Sequence, residues 1–135
     1  MEYITKAEII TIAYISNIAE EDIKGEIVNS AIVLYILPVI GDSLFLLMDL
    51  YPDDYRVLHE IYIKPCLAFY VKYLHLSQRY LEDPDLQVES QRTFEDILTI
   101  AEQKQSELDF YVKAYYSSAP LTPKITKRLK AGFLI

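Results

Sequence analysis

The feature that most constrains the fold is a long apolar stretch with helical spacing at residues 54–80. Its apolar residues step by three and four, and a second set widens the same face. The first set is Tyr55, Leu58, Tyr62, Cys66, Phe69, Tyr73, Leu76 and Tyr80, and the second is Ile63, Leu67, Tyr70 and Leu74. Polar residues lie opposite: Glu60, Lys64, Lys72, His75 and Arg79. The pattern predicts a central amphipathic helix, which Pro65 should kink.

Three helices are predicted before this one, and the first two lie before Pro38. Thr5 followed by Glu8 has the spacing of a capping box, which favours a short helix over residues 6–13. The acids of Glu20–Asp22 suit the positive end of a second helix that begins there. Beyond Ala31 this helix is apolar on nearly every side, so we expect its second half to be deeply buried.

Breaks in the pattern predict where these helices end. Pro38 lacks a backbone donor and Gly41 suits a left-handed cap, so both should stop the second helix. Asp42 or Ser43 can then cap a short helix, and the turn at residues 51–54 starts the central one.

A polar connection and one more helix complete the predicted body. Residues 81–92 are predicted as an exposed loop, and residues 93–116 as the last helix, with Gln105 at its one polar step. Pro120 and Pro123 favour extended backbone after it. The inward positions of the last helix are Phe94, Leu98, Ala101, Leu108, Val112 and Tyr115.

The amino-acid composition fits a single folded domain built from these helices. The chain has 135 residues, of which 52% are hydrophobic, which suits one folded domain. We expect an all-α bundle of about four to five helices at residues 1–118, with an extended C-terminal tail at 119–135. Cys66 is the single cysteine, which excludes an internal disulfide, and no signal peptide is evident, so a reducing intracellular compartment is expected. The breaks at Pro38 and Gly41 argue against a membrane partner.

Charge separates the body from the tail. Residues 1–123 carry 9 Lys/Arg and 20 Asp/Glu, whereas residues 124–135 carry four basic residues and no acid. An acidic body repels phosphate, so a duplex-gripping fold is disfavoured. The tail alternates basic and apolar residues and is predicted to bind a partner. Its predicted partner-binding residues are Lys124, Ile125, Lys127, Arg128, Leu129, Lys130, Phe133 and Leu134.

Catalytic and metal-binding patterns are missing from the sequence. His59 and His75 are the two histidines and lack the spacing of a zinc site, so both are expected to be ordinary surface residues. The acidic clusters lack the ligand spacing of a calcium loop. We therefore expect a protein that is not an enzyme and needs no cofactor or metal.

Tyrosine is unusually common, with 12 Tyr and no Trp. Tyrosine buries apolar area and keeps a polar tip, which suits protein interfaces as well as cores. Because they lie beside the tail, Tyr111, Tyr115 and Tyr116 are predicted interface residues.

The order of segments is similar to a known family. The stretches YITKAEII, LYILPVIGDSLFLLM, YIKPCLAFYVKYL and YVKAYY, over about residues 4–116, resemble head–tail connector (adaptor) ring proteins of tailed bacteriophages, above all those of Bacteroides and crAss-like phages. The resemblance implies a virion structural protein at the neck, below the portal vertex. It implies a homo-oligomeric ring, commonly a dodecamer, that contacts portal and tail proteins and passes DNA through its lumen without specific binding. The loop at residues 86–92 departs from the family pattern.

The tail lies outside this similarity. Its apolar residues and charges suit docking onto a neighbouring copy, a successive ring or another neck protein, and a solubilising tail is the alternative. Two other functions remain open from the sequence: a DNA-contacting accessory protein and a small helical regulatory protein.

Overall fold

The computed structural model describes residues 3–14, 18–82 and 87–116. Within them, five α-helices form four helical segments, because the second and third helices are joined by a π segment. No strand occurs within those residues, and the predicted all-α fold is confirmed. The α-helices are α1 (Lys6–Ala13), α2 (Gly25–Ala31), α3 (Leu37–Leu50), α4 (Lys64–Glu82) and α5 (Gln87–Tyr115). A first π segment (Ile32–Ile36) joins α2 to α3, a second π segment (Leu58–Ile63) precedes α4, and 3₁₀ turns occupy Glu20–Asp22 and Pro52–Tyr55.

The start of α1 follows the predicted capping box. The Thr5 side chain accepts a hydrogen bond from the Glu8 amide at 3.1 Å, and the Glu8 carboxylate accepts one from the Thr5 amide at 2.9 Å. The second helix begins later than predicted. The acids of Glu20–Asp22 form a separate 3₁₀ turn, and α2 begins at Gly25 after an extended Lys24.

Gly25–Leu50 is one helical run that Pro38 does not stop. Gly41 has φ of 82° and ψ of 159°. Residues with a side chain rarely adopt a positive φ of this size, so Gly41 breaks the helix geometry as predicted. Pro38 is accommodated differently, because the first π segment ends two residues before it. The wider π turn tolerates the missing donor and the crowding that a proline ring causes.

The same solution appears a second time in the chain. Pro65 lies two residues after the second π segment, just as Pro38 follows the first. Both sites read Tyr-Ile-x-Pro, at residues 35–38 and 62–65, and the isoleucines Ile36 and Ile63 are fully buried. The predicted kink at Pro65 therefore takes the form of a π segment before the proline.

The second π segment changes which face of the next helix is buried. A π turn takes one residue more than an α turn, and one residue rotates an α-helix by about 100°. The core therefore receives Ile63 and Tyr70 of the second predicted set, whereas Tyr62 and Phe69 of the first set pack against it only half-buried. His75 is 7% exposed, so the prediction that it lies on the polar surface is wrong.

The last helix begins earlier than predicted. Because α4 continues to Glu82 and α5 starts at Gln87, the predicted loop at residues 81–92 is wrong for residues 81–82 and 87–92, which are helical. The helix packs along α4 and buries Ala101, Leu108 and Val112 against the core, as its spacing predicts.

The polar step in α5 has a structural role. The Tyr70 hydroxyl donates to Gln105 Oε1 at 3.0 Å, and Gln105 Nε2 donates to the Tyr35 carbonyl at 3.0 Å. That carbonyl lies in the first π segment, and the rings of Tyr35 and Tyr70 stack with their centroids 3.9 Å apart. Gln105 thus ties three helical segments together at the proline break.

Candidate interaction surface

The polar side of the central helix is occupied by α1. Lys64 forms ion pairs with Glu8 at 2.5 Å and with Glu60 at 2.6 Å. His59 Nε2 donates to the Tyr3 carbonyl at 2.6 Å. Residues that the sequence pattern assigns to solvent therefore hold the first helix in place, and they are not free for a partner.

The other end of α1 is held in the same way. Lys72 Nζ donates to the Ala13 carbonyl at 2.8 Å, where the negative end of α1 favours a cation. A 2.6 Å hydrogen bond joins the Tyr14 hydroxyl to His75 Nδ1. Lys72 and Tyr14 are both half-buried. This burial lowers the pKa of Lys72 and raises that of Tyr14.

The Glu8 to Lys64 contact also has an electrostatic signature. Burial alone would raise the pKa of Glu8, but hydrogen bonds from Lys64 and Thr5 outweigh it and lower that pKa. Burial would likewise lower the pKa of Lys64, and hydrogen bonds to Glu60 and Glu8 raise it instead. These groups serve the attachment of α1.

Most tyrosines contact other rings of the same chain. Of the eleven tyrosines whose side chains the structure describes, two are exposed, namely Tyr51 and Tyr115. The stacked pairs join different helical segments, so tyrosine contributes to the core more than to the free surface. These pairs are Tyr3 with Phe45, Tyr35 with Tyr70, Tyr62 with Tyr111, and Tyr73 with Phe94.

The three predicted interface tyrosines differ in their surroundings. Tyr111 stacks on Tyr62 at 4.1 Å and Tyr116 contacts Tyr55 at 5.7 Å, and both are half-buried. Tyr115 is 67% exposed, with its ring 4.6 Å from that of Tyr111. The cluster is therefore a packed platform beside the predicted tail, and Tyr115 is the member open to a partner.

Exposed apolar side chains occur in two groups. One group follows the chain from the first π segment to the second, and the other lies on α5. The first group is Val33, Leu34, Leu46, Leu50, Tyr51, Val57 and Ile61, and the second is Ile100, Phe110 and Tyr115. The sequence pattern predicts deep burial for the second helix beyond Ala31, because an all-round apolar helix is typical of full burial, and it therefore misses the exposure of Val33 and Leu34.

Part of the first group forms a line along α3. Asp42, Leu46 and Leu50 are spaced by four residues, so they share one side of the helix after the Gly41 break. Leu46 is 57% and Leu50 is 58% exposed, and Asp42 is also exposed. We name these three residues the α3 stripe. Residues 25–55 contain five acids and no Lys, Arg or His, and one of these acids, Asp53, pairs with Arg56 at 2.8 Å.

One helix among the described residues, Gly25–Leu50, has the length and apolar composition that could span a membrane, with 28% of its most apolar stretch buried. Gly41 interrupts its backbone geometry, and Asp42 and Asp49 fall within it. Carboxylates and a broken backbone are both costly in a lipid core. The absence of a membrane partner stays a prediction.

The predicted tail residues, from Lys124 to Leu134, lie outside the described residues. Within the ranges that the structure describes, no group of three His, Cys, Asp or Glu side chains could hold a metal ion. Cys66 is buried, and burial raises the pKa of its thiol to about 12, which makes the thiolate unfavourable near neutral pH.

Comparison with known proteins gives no family. No protein-family model matches the chain, and no curated protein or solved structure matches it significantly. The geometry defines only a class: an all-α bundle in which Lys64, Lys72 and His75 help to hold α1, and in which large apolar side chains are exposed in two groups.

Proposed function

We propose that the protein is a structural subunit of a head–tail connector ring in the neck of a tailed bacteriophage. It is made in the host cytoplasm and incorporated into the virion at the portal vertex. Identical copies, twelve in the family that the sequence resembles, surround a lumen through which DNA passes without specific binding. The neighbours in this arrangement are the portal protein and other neck and tail proteins.

The observation that carries this proposal is the division of exposed apolar side chains into two groups on different elements. A ring of identical copies needs a head-to-tail contact, in which one surface of each copy meets a different surface of the next. The group that includes Leu46 and Leu50 and the group that includes Phe110 and Tyr115 supply two such surfaces. Exposed apolar residues typically mark interfaces where they lie together, as Leu46 and Leu50 do one turn apart on α3.

The charge of the body also supports a conduit. With 20 Asp/Glu against 9 Lys/Arg in residues 1–123, the body does not attract the phosphate backbone. DNA can then move through a ring without being held. Proteins that bind duplex DNA tightly usually present a basic surface.

Electron microscopy provides the test. Class averages of the purified full chain, and of phage particles that contain it, should show closed rings, with the particles carrying the ring only at the portal vertex. Label on the chain that appears over the capsid shell, or particles that retain a complete neck without the protein, would overturn the proposal.

A further inference from the structure

The α3 stripe combines two exposed leucines with an acidic setting. Leu46 and Leu50 lie one turn apart, and Asp42 is one turn before them. Exposed apolar residues framed by charge of one sign favour a partner with apolar anchors and the opposite charge. The α3 stripe therefore favours a partner that carries both apolar and basic residues.

The same chain contains a segment with this chemistry. Residues 124–135 carry four basic residues and no acid, and they include five large apolar residues. Residues 25–55 carry five acids and no base. The bases are Lys124, Lys127, Arg128 and Lys130, and the apolar residues are Ile125, Leu129, Phe133, Leu134 and Ile135.

We infer that residues 124–135 of one copy bind the α3 stripe of a neighbouring copy. The apolar residues of the segment cover Leu46 and Leu50, and its cations face Asp42. This inference rests on the proposed ring, because it names the surface that receives the tail within that ring.

In the proposed ring, the stripe that receives the segment belongs to the next copy. A contact between two different surfaces of one chain is head-to-tail, which is the kind that closes rings.

Crosslinking of the full chain identifies the contact. A photoreactive phenylalanine at position 133 is placed in chains labelled with heavy isotopes and mixed with unlabelled chains. We expect crosslinks from position 133 to residues 42–50, with heavy and light chains joined. Crosslinks confined to one copy, crosslinks to other surfaces, or no crosslinks at all overturn the inference.

Matched variants distinguish binding at the α3 stripe from nonspecific association of exposed apolar residues. The double variant L46S/L50S should lower the crosslink yield at least tenfold, whereas L34S, an exposed leucine on the same helical run before Gly41, should leave it unchanged. Equal losses in both overturn the inference. Because all three leucines are exposed, circular dichroism should show each variant folded.

Charge and lipid controls complete the experiment. Asp42→Lys should reduce the yield mainly at low salt, and the reversal K127E/R128E should restore it. Cosedimentation of the full chain with phosphatidylcholine vesicles, lost in L46S/L50S, would assign the stripe to a membrane and overturn the inference. Rings with crosslinks elsewhere refute only the tail contact, whereas stripe crosslinks in open chains refute only the proposed ring.

Discussion

Replacing Gln105 by leucine tests whether one amide holds three helical segments together at the first proline break. The substitution removes the hydrogen bond from the Tyr70 hydroxyl and the one to the Tyr35 carbonyl, each 3.0 Å long. Tyr70 is 2% exposed, so its hydroxyl would lose its partner in a buried site, at a cost of about 1–3 kcal/mol. Tyr35 is half-buried and its carbonyl can recover water, so that loss is about 1 kcal/mol.

The expected destabilisation of Q105L is therefore about 3 kcal/mol, a large part of the 5–15 kcal/mol typical of a domain. Urea unfolding followed by circular dichroism should show a lower urea concentration at the midpoint. The slope of the unfolding free energy against urea concentration should be unchanged. Y70F should cost only about 1 kcal/mol, because Gln105 is half-buried and can turn to water.

A double-mutant cycle makes the reasoning refutable. In Q105L/Y70F no buried hydroxyl is left unpaired, so the pair should cost about 1–2 kcal/mol less than the sum of the two changes. Gln103→Leu, an exposed position on the same helix, is the matched control and should change stability by less than about 0.5 kcal/mol. Additive effects, or a Q105L variant no less stable than Y70F, would show that Gln105 does not connect the segments.

Three further predictions concern α1, pH and the tail. His75→Ala removes the hydrogen bond to Tyr14 and should cost about 2 kcal/mol in thermal unfolding, and unchanged stability would contradict the buried position of His75. Burial raises the pKa of Tyr3 from 10.0 to about 12. The contribution of its protonated hydroxyl to the free energy of unfolding is therefore complete below pH 10. This contribution is lost as the pH rises toward 12, at about 1.4 kcal/mol per pH unit. Alkaline unfolding monitored by tyrosinate absorbance should be less steep for Y3F than for wild type, and identical curves would refute this. Truncation after Ser118 should leave the thermal midpoint nearly unchanged yet prevent ring assembly, and normal rings from the truncated chain would make the tail dispensable.

Signals that depend on neighbours in the chain were readable from the sequence. The Thr5 and Glu8 capping box forms as predicted, because both partners lie within one turn. Gly41 interrupts its helix because only glycine readily takes a positive φ. Gln105 was recognised as the polar step in α5, although its two partners were not.

Tertiary packing and helix phase were not readable in the same way. Helical spacing assumes 3.6 residues per turn throughout, so the extra residue of the second π segment makes the outward prediction for His75 wrong and leaves Phe69, predicted inward, half-buried against the core. The repeated Tyr-Ile-x-Pro motif is a signal that could have revealed both π segments. The exposure of Leu46 was unpredictable, because periodicity cannot distinguish a helix buried in its own fold from one left for a partner. The tail predictions stay open, since their residues lie outside the described part of the chain.

The paired tyrosines give the protein a built-in optical reporter. With 12 Tyr and no Trp, all near-ultraviolet emission comes from tyrosine. Rings such as Tyr62 and Tyr111 stack inside the bundle, so their signal should stay constant while the bundle is folded. Tyr51 and Tyr115 are exposed members of the first and second apolar groups, and a subunit that covers them changes their environment. Assembly can therefore be followed in the unlabelled protein as a change in tyrosine fluorescence, with Y51F and Y115F identifying which surface is covered first.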